Sequence, residues 1–397
     1  MQLSPATPRR PLAVRIGTLA AFAALSSLPG SAGVLPEDEA DAMYHRYEGG
    51  GVTVQGPSVL IRKKIGDNFS ASYNYYVDMI SSASIDVLLT ASPYKEKRTQ
   101  QSASLDYQHG KTTYSVGYIH SREPDYIADT SVFSLSQDMF GDLTTVTLSY
   151  SRGWDRVYRD VTAGVNDPTF AQRVDHRSYG VGLTQVLTRN MILSLNYQTL
   201  TDQGYLQNPY RVALFIDPTA TRGFNTEAQV YPGTHTSNAA SADLKYYLPY
   251  RAALDGSYRF YTDTWGITAH TAQLGYTQPW QHWIFDGTFR YYKQNAADFY
   301  SDLFPRINSQ NFMARDRELA AFSSYTLGVG ASYEFKVPRA PWIQKSTLNL
   351  HYDRLMIDYS DFHAIFKDTA IGPGGDGNVP LYRLDANIIQ LFYSLYF

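Results

Sequence analysis

The chain has 397 residues, a formal net charge of −3 and no cysteine. The near-neutral charge gives no reason to expect a nucleic-acid partner, and the lack of cysteine excludes disulfides and thiolate metal sites. Beyond residue 33, no apolar run approaches the length of about eighteen residues that a membrane-spanning helix needs. Tyrosine is unusually frequent at 33 residues, which is typical of surfaces that are apolar on one side and wet on the other.

Residues 1–33 have the pattern of an export signal. Three arginines precede the apolar run IGTLAAFAALSSL, and small residues follow it. The run is too short to cross a membrane as a helix. We therefore expect residues 1–33 to form a signal peptide, and residues 34–43, which include the acidic stretch PEDEADA, to form a short periplasmic segment.

From residue 44 onward, the sequence alternates with the period of two that is typical of strands. In 143–152 (LTTVTLSYSR), apolar residues occupy one face and Ser or Thr much of the other. Such stretches are nine to thirteen residues long, longer than most strands of soluble sheets and long enough for a tilted membrane crossing. They predict an all-β fold, a transmembrane antiparallel up-and-down β-barrel of about 16 strands (range 14–16), with a weak first strand at Tyr44–Glu48.

The connections alternate between short and long. Short turns are predicted at 66–68, 109–111, 140–142, 188–190, 248–251 and 278–280. Longer polar connections are predicted at 79–98, 122–130, 154–174, 202–235, 295–321 and 359–384, and one tight turn, Thr264–Gly266, breaks the rhythm. Short periplasmic turns and long extracellular loops are typical of outer-membrane barrels. We therefore expect one barrel domain over residues 44–397, located in the cell outer membrane.

The chain ends on an amphipathic strand, DANIIQLFYSLYF. One face of this strand carries Leu391, Tyr393, Leu395 and the terminal Phe397. The ending resembles the last strand of bacterial outer-membrane barrels, which the barrel-assembly machinery reads. We interpret these four residues as a barrel-assembly signal, which makes that machinery and outer-membrane lipid the expected partners.

Charges of both signs fall on the inward face of the predicted strands. A mid-membrane Arg or Lys on the lipid face would cost roughly 2–4 kcal/mol, so their restriction to one face supports the barrel. The candidate lumen-lining charges are Asp106, Asp243, Lys245, Asp255, Arg259, Asp263, Asp286, Arg290, Glu334, His351 and Asp353. They either line a path for a small solute or form salt bridges that hold the wall together. The long segments 202–235 and 295–321 are the expected plugs or constrictions.

Catalytic and metal-binding patterns are weak. His351 lies two residues before Asp353, but no nucleophile motif flanks it. We expect no enzymatic activity, and a barrel-embedded hydrolase is the minor alternative. Loop carboxylates such as Asp155, Asp298 and Asp302 are interpreted as solvated rather than as calcium ligands, and no cofactor is expected.

Several long stretches resemble a known family. They are GVTVQGPSVLIRKKIGDN (51–68), YYVDMISSASIDVLLTASPYKEKR (75–98), SQDMFGDLTTVTLSYSRGWD (136–155), YYLPYRAALDGSYRFYTDTWGI (246–267) and AADFYSDLFP (296–305). These are similar to bacterial proteins catalogued under domain of unknown function 3570, and the similarity runs from about residue 44 to the C-terminus. The resemblance implies a Gram-negative outer-membrane barrel without an assigned activity, and it carries over no catalytic or binding residue.

One shared stretch falls on the predicted outer loop 75–98 rather than on lipid-facing positions. The resemblance therefore suggests a recognition or plug role for Asp78, Asp86, Tyr94, Lys95, Lys97 and Arg98. Taken together, the sequence favours a porin-like channel or an envelope transport component. The alternative is a plugged structural or binding barrel whose extracellular loops contact partners. The sequence does not indicate the solute or the oligomeric state.

Overall fold

The computed structural model describes residues 34–82, 84–85, 89, 94–162, 165–338, 340–366, 369–371 and 375–397. The expected signal peptide and Asp86 lie outside these residues. The strands are β1 (Glu39–Gly49), β2 (Val52–Ile65), β3 (Phe69–Ser82), β4 (Tyr94–His109), β5 (Thr112–Arg122), β6 (Tyr126–Met139), β7 (Thr144–Thr162), β8 (Val165–Thr188), β9 (Met191–Gly204), β10 (Val212–Ile216), β11 (Phe224–Ala228), β12 (Thr234–Tyr247), β13 (Ala253–Asp263), β14 (Thr268–Trp280), β15 (Trp283–Gln294), β16 (Phe322–Phe335), β17 (Lys345–His363) and β18 (Leu381–Tyr396).

Sixteen of these strands form one closed antiparallel barrel, and β10 and β11 form a separate hairpin. The barrel closes where β1 pairs with β18, from Glu39 opposite Tyr396 to Gly49 opposite Ala386. This confirms the predicted all-β, 16-strand barrel. The first strand begins at Glu39 and is therefore longer than the predicted Tyr44–Glu48. The acidic residues at its start can belong to the barrel because they face inward, where Glu39 pairs with Arg62 of β2.

The outer surface of the barrel is a belt of exposed apolar and aromatic side chains. On β7 and β8, Leu148 and Val181 are 48% and 51% exposed and lie opposite each other. The residues between them, such as Ser149 and Gly180, face inward. A belt of this extent is unstable in water and matches the apolar band of barrels that sit in lipid. Among the described residues, no helix is both long and apolar enough to span a membrane.

We call the end of the barrel at which β1 begins and β18 ends the terminal end, and the opposite end the loop end. The predicted turns at 66–68, 109–111, 140–142, 188–190 and 248–251 all lie at the terminal end. The predicted turn at 278–280 is wrong, because β14 continues to Trp280 and Gln281, with a φ of 56°, makes the turn with His282. Pro279 is tolerated there because it lies next to the end of its strand, opposite Ile284.

The loop end is less uniform than predicted. The connections after β9, β15 and β17 are long, as expected, and Thr264–Gly266 is the expected tight turn. The predicted loop 154–174 is wrong, because β7 and β8 continue through most of it as paired strands of 19 and 24 residues. The predicted loop 122–130 is also wrong, since only 123–125 separate β5 from β6.

Candidate functional site

The eleven candidate charges all lie on the inward parity of their strands, opposite the exposed apolar belt. Ten of them are distributed along the lumen, and Asp263 lies at the loop end, as the last residue of β13. Lys245, Arg259 and Glu334 remain exposed although they face inward. Space for water therefore surrounds these side chains inside the barrel.

One cluster of charges lies flat against the wall of the lumen. His351 contacts Asp286 through Nε2 and Asp353 through Nδ1, both at 3.2 Å. A side chain at Gly330 would come within 2.2 Å of Asp286 Oδ1, and one at Gly328 within 2.4 Å of Asp353 Oδ1. The two glycines of β16 thus give the carboxylates room to lie along the sheet, which keeps them out of the centre of the lumen.

The wall formed by β3 to β9 is mostly neutral and carries hydroxyl and amide groups. Hydrogen bonds join such groups on neighbouring strands. The pairs are Ser72 with Ser104 (2.7 Å), Ser136 with Thr147 (2.8 Å), Thr184 with Ser194 (3.0 Å) and Gln198 with Ser178 (2.9 Å). Because hydroxyl groups both donate and accept hydrogen bonds, this wall can contact polar solutes of either charge.

The loop end is filled by a packed body that we call the cap. It consists of residues 205–233, which include the β10–β11 hairpin, residues 295–321, and the described residues of 364–380 together with Ile85 and Leu89. Isolated β-bridges join the first two segments, at Phe215 with Phe304 and at Val230 with Met313. The expected plug segments 202–235 and 295–321 therefore pack on each other.

The cap has an apolar core of its own. Leu214, Phe224, Phe304 and Ile365 are fully buried, and each comes from a different strand or loop segment. A second cluster places Phe299 beside Tyr231 and Trp265, with ring centroids 5.2 and 5.3 Å away. Burial of this extent is typical of a folded core rather than of mobile surface loops.

Buried charges sit beside that apolar core. Arg211 contacts Asp316 at 2.8 Å, and the same carboxylate accepts hydrogen bonds from Gln229 Nε2 (3.0 Å) and the Tyr231 hydroxyl. Arg315 contacts Asp302 at 2.7 Å. A cavity of about 10 Å³, room for about one water, is lined by Leu89, Arg211, Val212, Gln229, Arg315 and Asp316. The segments of the cap therefore fit closely around these charges.

A chain of alternating acids and histidines runs around the inner rim just below the cap. It links β7, β8, β9, β12 and β13 through Asp155, His176, Asp202, His235 and Asp263, with successive distances of 2.9, 2.6, 3.1 and 3.0 Å. We call it the rim ladder. Each histidine has a carboxylate oxygen near both ring nitrogens, so both nitrogens donate and the ring carries a positive charge. The ladder thus ties five neighbouring strands by charged hydrogen bonds.

The sequence interpretation named Asp263 in the lumen and Asp155 as a loop carboxylate, but it missed the ladder. The sequence contained a pattern that could have indicated the ladder, because each of its residues faces inward and lies near the loop end of its strand. The ladder also contacts the cap, since the Trp265 ring lies 4.1 Å from the His235 ring and packs against Phe299.

Two of the six residues suggested for a plug role meet in a buried cluster on the opposite wall. Asp78 contacts Arg98 at 2.6 Å and His45 at 2.8 Å, and all three are at least nine-tenths buried. The Tyr76 ring lies parallel to His45, and its hydroxyl is 3.1 Å from His45 Nε2. The contacts of this cluster join β1, β3 and β4.

Of the other four suggested plug residues, Lys95 and Lys97 are the two whose side chains the structure describes, and neither joins that cluster. Lys95 and Lys97 are exposed and have the outward parity of β4. Tyr94 begins β4, and Asp86 lies outside the described residues. A plug or recognition role for the six residues stays a prediction.

A second buried acid lies in the short turn between β5 and β6. Asp125 is fully buried and accepts a hydrogen bond of 3.0 Å from the hydroxyl of Tyr210, which belongs to the cap. Burial raises the pKa of Asp125 to about 8, and the nearby Glu96 adds to the effect. Burial likewise raises the pKa of Tyr210 above its usual range. This contact places a neutral acid between the rim and the cap at pH 7.

The predicted assembly residues lie at the closing seam. Leu391 is exposed on the outward face of β18, and Tyr393 and Leu395 share its parity. Phe397 follows the strand, with the Lys63 Nζ 4.7 Å from its ring centroid and the Trp342 ring at 6.2 Å. Their recognition by the assembly machinery stays a prediction.

Among the residues that the structure describes, His351 contacts carboxylates on both sides and no serine hydroxyl. Asp155 and Asp302, two of the loop carboxylates considered for calcium, are buried against His176 and Arg315. Within the part of the chain that the structure describes, no group of three or more His, Asp or Glu residues is arranged to hold a metal ion.

Comparison with protein families identifies a match over most of this barrel. The family described as "Protein of unknown function (DUF3570)" matches residues 86–353. The chain belongs to this family. The predicted family is therefore confirmed, although the matched range begins later and ends earlier than the resemblance seen in the sequence. A search of curated proteins found no match.

The chain is also similar to several solved structures. They include a bacterial polysaccharide outer membrane secretin (7% identity, covering 91% of this chain and 100% of that chain, TM-score 0.49). A Pseudomonas aeruginosa FadL homologue is similar at 12% identity, covering 93% of this chain and 92% of that chain, with a TM-score of 0.44. OccK5 (OpdH) of Pseudomonas aeruginosa is similar at 8% identity, covering 91% of this chain and 98% of that chain, with a TM-score of 0.43. At such low identity, these similarities concern the fold alone.

Proposed function

We propose that this DUF3570 protein is a gated outer-membrane passage for small hydrophilic solutes. The cap carries the proposal, because it fills the loop end with an apolar core and buried ion pairs while the lumen below keeps water-accessible charges. In this function, the barrel is a chamber that is closed at one end, and displacement of the cap opens it. The protein acts as a transport component rather than an enzyme.

We infer the sidedness from the expected export and from the turns. The signal peptide expected over residues 1–33 favours insertion from the periplasm, with the terminal end there and the cap outside the cell. The short turns at the terminal end support this orientation. The chamber then opens toward the periplasm, and the cap is the barrier that a solute meets from outside.

The lining favours a hydrophilic solute. The neutral wall of β3 to β9 offers hydroxyl groups, and the wall of β12 to β17 offers charges of both signs, such as Asp255, Arg259 and Arg290. An apolar solute would leave these groups without hydrogen-bond partners. Mixed charges do not favour a strongly anion- or cation-selective passage.

The test is conductance in planar lipid bilayers, with and without the hairpin of the cap. The Gly204 amide donates to the Gly233 carbonyl at 2.9 Å, so the ends of this segment are adjacent. Residues 206–231 can therefore be replaced by a short Gly-Ser linker without moving β9 or β12. Arg211→Ala removes one buried partner of Asp316 and should loosen the cap less than the linker replacement does. Arg306→Ala, on an exposed side chain of the cap, is the matched control.

We expect the wild type and Arg306→Ala to be mostly silent, the linker variant to conduct steadily, and Arg211→Ala to flicker. Steady conductance of the wild type at the level of a general porin would show that the cap closes nothing. Silence of the folded linker variant would refute the passage itself. That second result would favour the alternative, a plugged structural barrel whose outer loops contact partners.

A further inference from the structure

Four arginines form an exposed patch on the outside of β7 and β8, at the loop-end edge of the apolar belt. We call Arg152, Arg156, Arg173 and Arg177 the arginine patch. Arg152 lies directly opposite Arg177, and Arg156 directly opposite Arg173. All four are exposed, and Trp154, 42% exposed, lies between the two pairs on β7. Arg156 and Arg173 lie in the stretch that the sequence predicted as a loop, and the paired strands hold all four arginines in fixed register.

The patch has too few acids for its charges. Asp175 bridges Arg152 (3.0 Å) and Arg177 (3.2 Å), so one carboxylate serves two guanidinium groups. Asp129 approaches Arg156 only to 3.8 Å. In the described part of the chain, the Arg173 side chain has no ion pair. Four guanidinium groups thus face two carboxylates, and like charges directly opposite each other on a sheet are destabilising unless an anion joins them.

Two arginines on another part of the outer surface are balanced. On β17 and β18, Arg354 contacts Asp385 at 3.0 Å and Arg383 contacts Asp358 at 2.8 Å. Each of these arginines has a carboxylate of its own. The β17–β18 pairs therefore provide a matched control for the arginines of β7 and β8.

The height of the patch matches the edge of a lipid layer. Arg152 and Arg156 are the ninth and thirteenth residues of β7. At about 3.3 Å per residue and a tilt of about 40°, they lie roughly 20 and 30 Å from the terminal end, on either side of the edge of a ~25 Å apolar band. Just below them, the Tyr150 and Tyr179 rings are 5.2 Å apart on the outward face, as in the aromatic girdles at membrane interfaces.

We propose that the arginine patch binds the phosphorylated headgroup of a lipid in the outer leaflet. Guanidinium groups bind phosphate oxygens in pairs, and Arg152 with Arg177 presents two of them side by side. The tyrosine pair and the apolar belt below then contact the acyl chains of the same lipid. This inference rests on the outer-membrane location in the proposed function, and it does not depend on the passage of a solute.

The experiment is native mass spectrometry of the folded full-length mature barrel in detergent. The probes are diphosphoryl lipid A, the same lipid after removal of its phosphates, and inorganic phosphate. The variants are R152Q/R177Q, the control R354Q/R383Q on the balanced pairs, and D175N. Heat-modifiable migration on gels verifies that each variant is folded. We expect R152Q/R177Q to bind the diphosphoryl lipid about tenfold less than the wild type, since charged hydrogen bonds are lost, and the control to bind it equally.

D175N tests the same idea in the opposite direction. Removal of the bridging carboxylate leaves Arg152 and Arg177 free for the lipid, so this variant should bind the diphosphoryl lipid more tightly than the wild type. Equal binding of the dephosphorylated lipid, or unchanged binding by R152Q/R177Q and D175N, would overturn the proposal. Displacement of the lipid by inorganic phosphate at equal concentration would overturn it too, because the site would then hold a free anion. A barrel that binds the lipid but never conducts would refute the transport function alone.

Discussion

Phe304 is the residue whose truncation should loosen the cap most clearly. Its side chain is fully buried against Ala213, Phe215 and Met313. Its backbone also joins the two long segments of the cap, since Phe304 N–H donates to the Leu214 carbonyl at 2.8 Å and the Phe304 carbonyl accepts from Ile216 at 2.9 Å. Phe304→Ala leaves these backbone bonds possible and removes the ring that packs over them.

The size of the effect follows from the burial. Truncation of a fully buried phenylalanine typically costs about 3–5 kcal/mol, because both burial and packing are lost. A free energy of about 1.4 kcal/mol corresponds to a factor of ten in an equilibrium. If the cap opens locally while the barrel stays intact, amide exchange within it should speed up between about a hundredfold and a few thousandfold. In bilayers, Phe304→Ala should open more often than the wild type.

The measurement is hydrogen–deuterium exchange of the barrel in micelles, followed at peptides that contain Ile216 and Phe304. Phe312→Ala is the control, because Phe312 lies in the same segment but is 42% exposed, and we expect it to change the exchange little. Unchanged exchange of the cap in Phe304→Ala, with the barrel strands still protected, would show that the ring does not hold the two segments together.

Three further predictions concern the rim, the buried acid and the last residue. His235→Leu leaves Asp202 and Asp263 without their shared cation and should destabilise the loop end by about 3–5 kcal/mol. The measurement is urea unfolding followed by Trp265 fluorescence, whose midpoint should fall. An unchanged midpoint would contradict a stabilising role of the ladder. Burial raises the pKa of Asp125 to about 8, so this group should reduce stability as the pH rises from about 4 to 8. Asp125→Asn should then melt like the wild type at pH 4 but at a higher temperature at pH 8.5, and identical melting at both pH values would exclude the effect. Deletion of Phe397 should lower outer-membrane assembly while synthesis and export continue, and normal fractionation of that variant would show that Phe397 is not part of an assembly signal.

The barrel could be predicted because the membrane imposes a pattern on every strand. Where one face meets lipid and the other meets the lumen, the chemistry alternates, as in 143–152. The same rule explains the misread loop 154–174. Above the lipid, both faces of β7 and β8 carry polar residues, such as Arg156 outward and Asp155 inward, so the alternation disappears although the backbone pairing continues.

The cap and the rim ladder could not be predicted in the same way. Their residues come from segments far apart in the chain, and contacts such as Arg211 with Asp316 depend on how the loops fold over the rim. Inward parity could have placed His176 and Asp202 on one face, but not in contact, because the stagger between neighbouring strands decides which side chains meet. Composition favoured solvated loop carboxylates, whereas Asp302 is buried with an arginine.

The buried charges of the cap favour a gate over a permanent plug. Arg315 and Asp302 lie almost fully buried beside the apolar core, and Arg211 and Asp316 are buried nearly as deeply. Well-packed apolar residues in place of buried ion pairs are often more stabilising, because ions lose hydration when they are buried. In the proposed gate, opening of the cap would return hydration to these four groups, which offsets part of the cost of separating Phe304 from its neighbours. A cap built this way is specific in its closed arrangement and less costly to open than an apolar plug of the same size.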